Sequence, residues 1–272
     1  MPELPEVERA RQAIEVAALG REIADVDDTD AFVCRPHLPG DIKAALVGRC
    51  LSGAHRRGKT MWCDLSGPDA PTLGIHLGMA GRIVVSAATA EDPTVEGGDP
   101  RPILVRSGVA HPAKWSRFTL RFADAGELIL LDPRRLGRVR LNPHIELLGP
   151  DALTVTPTQL RALLATGTAP VKARLLDQSA IAGVGNLLAD EVLWQARIDP
   201  RRRVRDLGED DVRRLQTALR KAVRRAIERG GVHTGDVITS RHPGGHCPRC
   251  GTEMQRGVVG GRTTWWCPAD QR

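Results

Sequence analysis

The sequence predicts a multidomain α+β protein, and three observations carry that prediction. Short apolar runs broken by glycine, proline and aspartate fill the first half of the chain. Helical periodicity takes over from Pro143, and cysteines at knuckle spacing close the chain. At 272 residues there is enough chain for two or more domains. The expected boundaries are 1–142, 143–231 and 232–272.

Taken in order, Pro5–Leu19 reads as a helix. Val7, Ala10, Ile14 and Ala17 recur at helical spacing, and Gly20 stands where a C-terminal glycine belongs. Strands are expected at Cys50–Ser52, Thr60–Leu65, Thr72–Leu77, Arg82–Val85, Phe118–Phe122 and Glu127–Leu131, the spacing of a sandwich or barrel. The acidic, glycine- and proline-rich Ser86–Pro102 predicts a long exposed loop. Helices follow at Thr156–Ala165, Val171–Gln178, Asn186–Gln195 and Glu209–Arg229. The last lines up Val212, Leu215, Leu219, Val223 and Ile227 on one face with arginines around the rest. That basic face serves equally as a solvated surface or as a phosphate contact.

The formal charge of +6 suits a polyanionic partner such as nucleic acid, although arginine- and alanine-rich chains are also basic for compositional reasons. With no tyrosine, three phenylalanines and five tryptophans, a base-stacking platform of many aromatics is not expected. No run approaches the ~20 apolar residues of a membrane helix, and the N-terminus lacks the basic and apolar regions of a signal peptide. A cytoplasmic monomer is expected. Cys34, Cys50 and Cys63 are expected as small buried apolar residues.

The chemistry starts at Met1-Pro-Glu-Leu-Pro-Glu-Val-Glu8. Removal of Met1 leaves a secondary amine on Pro2 beside the carboxylate of Glu3. An α-amino group titrates near pKa ~8, so part of it is nucleophilic near neutrality and able to hold a carbonyl carbon as an iminium. The neighbouring acid can move protons. The plainer alternative is a capped helix, with Pro5 in its first turn and Glu6 and Glu8 facing the dipole.

At the far end, Cys247-Pro-Arg-Cys250 and Cys267-Pro-Ala-Asp270 are separated by sixteen residues. This is the spacing of a four-cysteine zinc ribbon with Asp270 in the fourth place. Zinc accepts carboxylate oxygen, so Asp270 is the expected ligand, ahead of His246 or of a metal-free hairpin standing on Trp265 and Trp266. Between them, Asp177–Asn186 is a glycine-rich turn opening a helix, a form that offers backbone N–H groups to phosphate, with Lys172 upstream as a point charge. Asp132-Pro-Arg-Arg-Leu-Gly137 and His76-Leu-Gly-Met-Ala-Gly81 are turns at strand ends. Beside DNA, their arginines and Met79 can fill space or pair with phosphate. Arg56-Arg-Gly-Lys-Thr60 is a basic hairpin turn.

Together these motifs resemble the formamidopyrimidine-DNA glycosylase / endonuclease VIII family of base-excision repair enzymes, nearly end to end. The resemblance rests on the Pro-Glu-Leu-Pro-Glu-Val-Glu start, Gly58-Lys59, His76-Leu-Gly-Met79, Asp132-Pro-Arg-Arg and Leu148-Gly-Pro. It continues through Leu175-Leu-Asp-Gln, Gly183-Val-Gly-Asn186, Ala189-Asp-Glu191 and Gly261-Arg-Thr263. It implies an N-terminal β-sandwich with a terminal helix, a helix–two-turn–helix domain and a zinc-ribbon-like hairpin, with one structural zinc. Damaged double-stranded DNA would lie in the cleft, its damaged nucleotide flipped out. Carried over residue by residue, Pro2 is the nucleophile, Glu3 the proton donor and Glu6 a pocket support. Lys59 is implied in β-elimination and Arg262 in δ-elimination. Lys172 and Asn186 are implied at the phosphate, His76 at the DNA, and Met79, Arg134 and Leu136 in the duplex.

Four departures bear on specificity. Leu136 stands where phenylalanine is usual, Trp115 where a DNA-contacting histidine is usual, and Thr166-Gly-Thr168 lacks an expected lysine. Only fifteen residues separate Gly231 from Cys247, too few for the loop that closes over 8-oxoguanine in many members. The expected function is a bifunctional glycosylase/AP lyase acting on oxidised or ring-opened bases, formamidopyrimidines first. The alternatives are a preference for oxidised pyrimidines or bulky lesions, and a non-catalytic damage-binding paralogue.

Overall fold

A computed structural model describes residues 1–87, 94–100, 113–165 and 167–272. The chain divides into two compact units: Met1–Pro2 with Glu6–Ile145, and Glu3–Pro5 with Glu146–Arg272. Residues 232–272, expected as a third domain, lie in the second unit with the helices.

The first unit opens with α1 (Leu4–Ala17), whose Val7, Ala10 and Ile14 enter the core. Nine strands follow among the described residues, with α2 (Asp41–Leu46) inserted after the first. They are β1 (Ile23–Asp27), β2 (Leu51–Arg57), β3 (Thr60–Leu65), β4 (Leu73–His76), β5 (Arg82–Ser86), β6 (Val95–Gly98), β7 (Ser116–Phe122), β8 (Glu127–Leu131) and β9 (Arg138–Leu141). They form two antiparallel sheets, ordered β1-β7-β8-β5-β6 and β2-β3-β4-β9. Alternate residues from both sheets share one core: Ile83, Phe118, Leu120 and Leu130 from the first, Leu51, Met61, Ile75 and Val139 from the second. Period-2 burial across two sheets makes this a sandwich.

Three elements of this unit escape sequence periodicity. β1 (IADVD) and β9 (RVRL) alternate charge with few apolar residues, and α2 is only six residues long. β6 falls inside the stretch expected as loop, because its Gly97 packs on backbone: a Cβ there would stand 2.3 Å from Arg9 O. The parts of the expected loop at 88–93 and 101–102, and Thr166, lie outside the described residues. Cys34 and Cys63 are buried as expected, with burial pushing both thiols up to about 12, while Cys50 is only partly covered.

The second unit contains α3 (Pro157–Leu164), α4 (Val171–Leu176), α5 (Asn186–Ala196), α6 (Glu209–Arg229) and the hairpin β10 (Gln255–Val259)–β11 (Arg262–Trp266). Thr156 and Gln159 close a reciprocal capping box ahead of α3, and Gly230 at φ 98° ends α6 in the left-handed region. Leu160, Leu175, Leu188, Val192, Leu215 and Leu219 pack one core. Trp194, Val237, Cys247, Met254, Trp265 and Cys267 form a smaller one. No helix among the described residues is long and apolar enough to cross a membrane.

Candidate active site

In the second unit, chemistry-bearing side chains gather along α5. Glu3 is 1% exposed, and its carboxylate caps the helix from a distant part of the chain. Oε2 accepts from the N–H groups of Gly185 (2.9 Å) and Leu188 (3.1 Å), and Oε1 from Leu187 (2.9 Å). Three backbone donors at a helix N-terminus hold an acid where the dipole also favours negative charge. Gly185 is required for this fit, since a Cβ would lie 2.2 Å from Glu3 Cδ. Gln178 braces the turn, accepting from Gly183 N–H at 2.9 Å and donating to Val184 O at 2.9 Å. At the turn expected to cradle a phosphate, Glu3 takes three of the N–H groups, those of Gly185, Leu187 and Leu188.

Asn186, one residue on, donates from Nδ2 to Thr263 O at 3.0 Å, while its buried Oδ1 has no hydrogen-bond partner among the described residues. Thr263 neighbours Arg262, so this bond ties the arginine-bearing hairpin to the start of α5. Arg262 is exposed at the β10–β11 turn, which Gly260 and Gly261 close at φ 58° and 70°.

Lys172 departs from expectation. It is 0% exposed, ion-paired with Asp190 at 2.6 Å, and donates to Thr264 Oγ1 at 2.7 Å. Burial pushes its ammonium pKa down and Asp190 pulls it back up. A buried, paired ammonium braces the hairpin against α5 and has no surface to offer a phosphate. Asp190 and Glu191 belong to the motif Ala189-Asp-Glu191 but not to the site residues expected from sequence. Asp190 also receives Arg241 (2.8 Å) and Trp265 N–H (3.2 Å), and Glu191 receives Val237 N–H (3.0 Å). The signal was there: two adjacent acids inside the apolar run Leu187–Trp194 must be buried, hence paired.

In the first unit, Pro2 is buried and Met1 exposed; Glu6 is buried in the first turns of α1. A separate group assembles at one end of the four-stranded sheet. Gly58 (φ 61°) and Lys59 make the two-residue turn joining β2 to β3. Arg56 behind it is held by Glu8 Oε2 at 2.7 Å. Thr60 pairs in register with His76, and His76 with Arg138. His76 Nδ1 accepts from Gly78 N–H at 3.0 Å, so a neutral ring carries its proton on Nε2. Burial, reinforced by Lys59, Arg138 and Arg140, lowers the His76 pKa to about 4.

Gly78 (φ 58°) packs on the Asp132–Gly137 turn, where a Cβ would meet Leu136 C at 2.4 Å. Asp132, fully buried, organises that turn: it accepts from the N–H groups of Arg134 (3.0 Å), Leu136 (2.7 Å) and Gly137 (2.6 Å). Arg135, at φ 55°, turns back onto Asp30, leaving Arg134 exposed and Met79 and Leu136 partly exposed. The two loops of the sequence reading are thus one packed feature. Trp115 accepts at its carbonyl from Asp132 N–H at 2.9 Å.

Cys247, Cys250 and Cys267 bring their sulfurs within 4.8 Å of one another. Three convergent thiols of this kind fit a zinc ion. Asp270 does not join them: its carboxylate is paired with Arg249 and, at 3.5 Å, with Arg197.

The comparisons agree with this anatomy. Residues 1–139 match the formamidopyrimidine-DNA glycosylase N-terminal domain, and residues 148–237 match the H2TH domain of the same glycosylases. The chain belongs to the formamidopyrimidine-DNA glycosylase family. It is 33% identical to the family's protein from Arabidopsis thaliana, covering all of this chain and 71% of that one. It is also 33% identical to that of a Roseiflexus species, with both chains fully covered. Among solved glycosylase structures, Lactococcus lactis Fpg with abasic-site DNA superimposes with a TM-score of 0.80 at 28% identity over 99% of both chains. The same enzyme with FAPY-dG DNA gives 0.79 at 28% identity, over 99% of this chain and 100% of that one.

Proposed function

We propose that this glycosylase excises damaged bases through the Pro2 amine and then cuts the strand. The unprotonated amine attacks the sugar C1′ and displaces the base; loss of the N–H proton restores a lone pair, which opens the ring C1′–O bond and leaves an iminium, the ring oxygen taking up a proton. The iminium draws electrons from the adjacent carbon, acidifying its C–H. Loss of that proton expels the 3′ phosphate in β-elimination, and a second elimination releases the other side. Glu3 moves the protons of base departure and sugar opening, Lys59 and Arg262 assist the two eliminations, and Glu6 supports the pocket. Met79, Arg134 and Leu136 occupy the duplex, His76 and Asn186 contact the DNA, and the chain works as a cytoplasmic monomer.

The observation that carries this proposal is the Glu3 carboxylate, one residue from Pro2 and fixed by three backbone N–H groups. The grip alone would serve as a helix cap; what favours catalysis over binding is its place next in sequence to the Pro2 amine. Borohydride reduction should trap the protein covalently on abasic or lesion DNA, and Pro2→Gly should abolish the adduct. An unchanged yield with Pro2 replaced would end this mechanism.

For the lesion we propose ring-opened purines first. A second reading, oxidised pyrimidines or bulky lesions, draws on the segment before Cys247. Its short turns at Val232–Thr234 and Ile238–Ser240 flank the Val237 N–H bond to Glu191, and Arg241 pairs with Asp190, which leaves little chain for a closing loop. Lactococcus lactis Fpg has been solved with both FAPY-dG and oxidised-pyrimidine DNA, so one scaffold admits both classes. A cleavage panel of lesions in otherwise identical duplexes ranks them. We further propose one structural zinc held by Cys247, Cys250 and Cys267.

A further inference from the structure

In the C-terminal knuckles, the fourth position by spacing is filled by a residue that faces other partners. Asp270 follows Cys267 by three residues, as Cys250 follows Cys247. Its carboxylate is held by the guanidinium of Arg249 and lies 3.5 Å from Arg197 Nε. Arg249 in turn stacks 4.0 Å from the centroid of the Trp194 ring and donates to Trp194 O at 3.2 Å. The Trp194 indole N–H donates to Cys247 Sγ at 3.3 Å. A continuous relay therefore runs from Asp270 through Arg249 and Trp194 to one of the three sulfurs.

We propose that the ribbon holds its metal with three thiolates and leaves the fourth position open to a small nitrogen or sulfur donor from solution. In this arrangement Asp270 is a positioning residue that acts through Arg249. The inference rests on the three-cysteine zinc reading above. No other His, Cys, Asp or Glu ligand atom among the described residues joins the three sulfurs within 4.8 Å. Gln271, the nearest amide in sequence, is committed at both ends: its Oε1 accepts from Cys267 N–H at 2.8 Å and its Nε2 donates to Ile198 O at 2.9 Å. Cys250 is exposed, so the cluster borders solvent on that side.

Charge favours the same outcome. Three thiolates on a divalent ion leave one net negative charge, whereas adding Asp270 would make it two and strip Arg249 of its partly buried partner. Leaving a charge without its partner is costly. An indole N–H on Cys247 Sγ and a guanidinium behind it are outer partners of the type that orient ligands, and losing one typically weakens metal binding by about 10–100-fold.

Cobalt(II) substitution of the full-length protein in thiol-free buffer tests this, because its visible spectrum reports the ligand set. The wild type should take up one cobalt, and added imidazole or a small thiol should shift the spectrum saturably. Asp270→Asn should leave the spectrum before addition unchanged, still respond to imidazole, and release metal to a chelator about 10–100-fold faster. Asp270→Cys should abolish the imidazole response and slow release. A wild-type spectrum indifferent to both ligands, or one altered by Asp270→Asn before any addition, would overturn the open position while leaving the metal reading intact. Failure of both the wild type and Asp270→Cys to bind cobalt or zinc would overturn both.

Discussion

Glu3 and Asp270 are both acids placed by sequence beside reactive atoms, and the structure treats them oppositely. Glu3 is gripped by three main-chain N–H groups at the start of α5, so its partners are fixed by the fold. Asp270 is gripped by the side chains of Arg249 and Arg197, flexible partners that draw it away from the cysteine cluster. Backbone donors have one position and cannot rotate off, whereas a guanidinium on a long stem follows the charge it finds. Acids aimed by backbone are therefore good candidates for work that demands a fixed direction. Acids held by arginine serve more naturally as braces.

The sharpest way to break this contrast is Gly185→Ala. The added methyl group would overlap the Glu3 carboxyl and push it off its three donors. Excision in single-turnover assays should fall by about 10²–10⁴-fold, matching the loss from Glu3→Gln if general acid–base transfer is what the position supplies. Near-normal excision by Gly185→Ala would mean that the backbone grip is irrelevant to the chemistry.

Lys172 is the next test, because it pairs side chain to side chain but fully inside the protein. Removing one member of a buried ion pair costs roughly 3–5 kcal/mol where the other is left unpaired. Asp190 keeps Arg241 and the Trp265 N–H, so Lys172→Met should lower the stability of the second unit by less than that in denaturant titrations, and adding Asp190→Leu should lower it further because Arg241 then loses its partner. A variant that stays stable yet loses DNA affinity would restore the phosphate-contact role that the burial argues against.

His76 gives a smaller effect with a defined pH signature. Its folded pKa of about 4 lies below the ordinary 6.5, chiefly through burial. Between those values the unfolded chain binds a proton that the folded chain does not, so stability falls as pH drops from 6.5 towards 4. The full difference is at most about 3 kcal/mol. His76→Asn keeps an acceptor for the Gly78 N–H and should flatten that slope in pH-dependent melts; an unchanged slope would place the titration elsewhere.

How far the sequence reaches follows the same division. α6 was legible to the residue, because five apolar positions and a terminal glycine mark it unambiguously. The sandwich was legible as a class, while β1 and β9 were not, since they reach the core with few side chains each. At the candidate site, motif residues were found, but their partners were not. Nothing local in Glu3 announces Gly185, 182 residues away, and nothing in Lys172 announces that Asp190 will bury it. Local pattern shows that acids inside an apolar run must be paired, but packing decides with which residue.

The mildest prediction concerns Leu136. Its N–H and those of Arg134 and Gly137 converge on the buried carboxylate of Asp132, the same backbone grip that holds Glu3. The turn should therefore keep its shape whatever side chain position 136 carries. Leu136 is partly exposed, so Leu136→Phe should change stability by no more than about 0.5 kcal/mol. What should change is the reach and rigidity of the apolar tip. If this tip senses the base opposite the lesion, the phenylalanine variant should alter the ratio of excision rates among the four opposite bases by a few-fold, with the rate on the best pair held. Equal ratios in both proteins would move that role to Arg134 or Met79, whereas a large loss of stability would show that the Asp132 grip does not govern the turn.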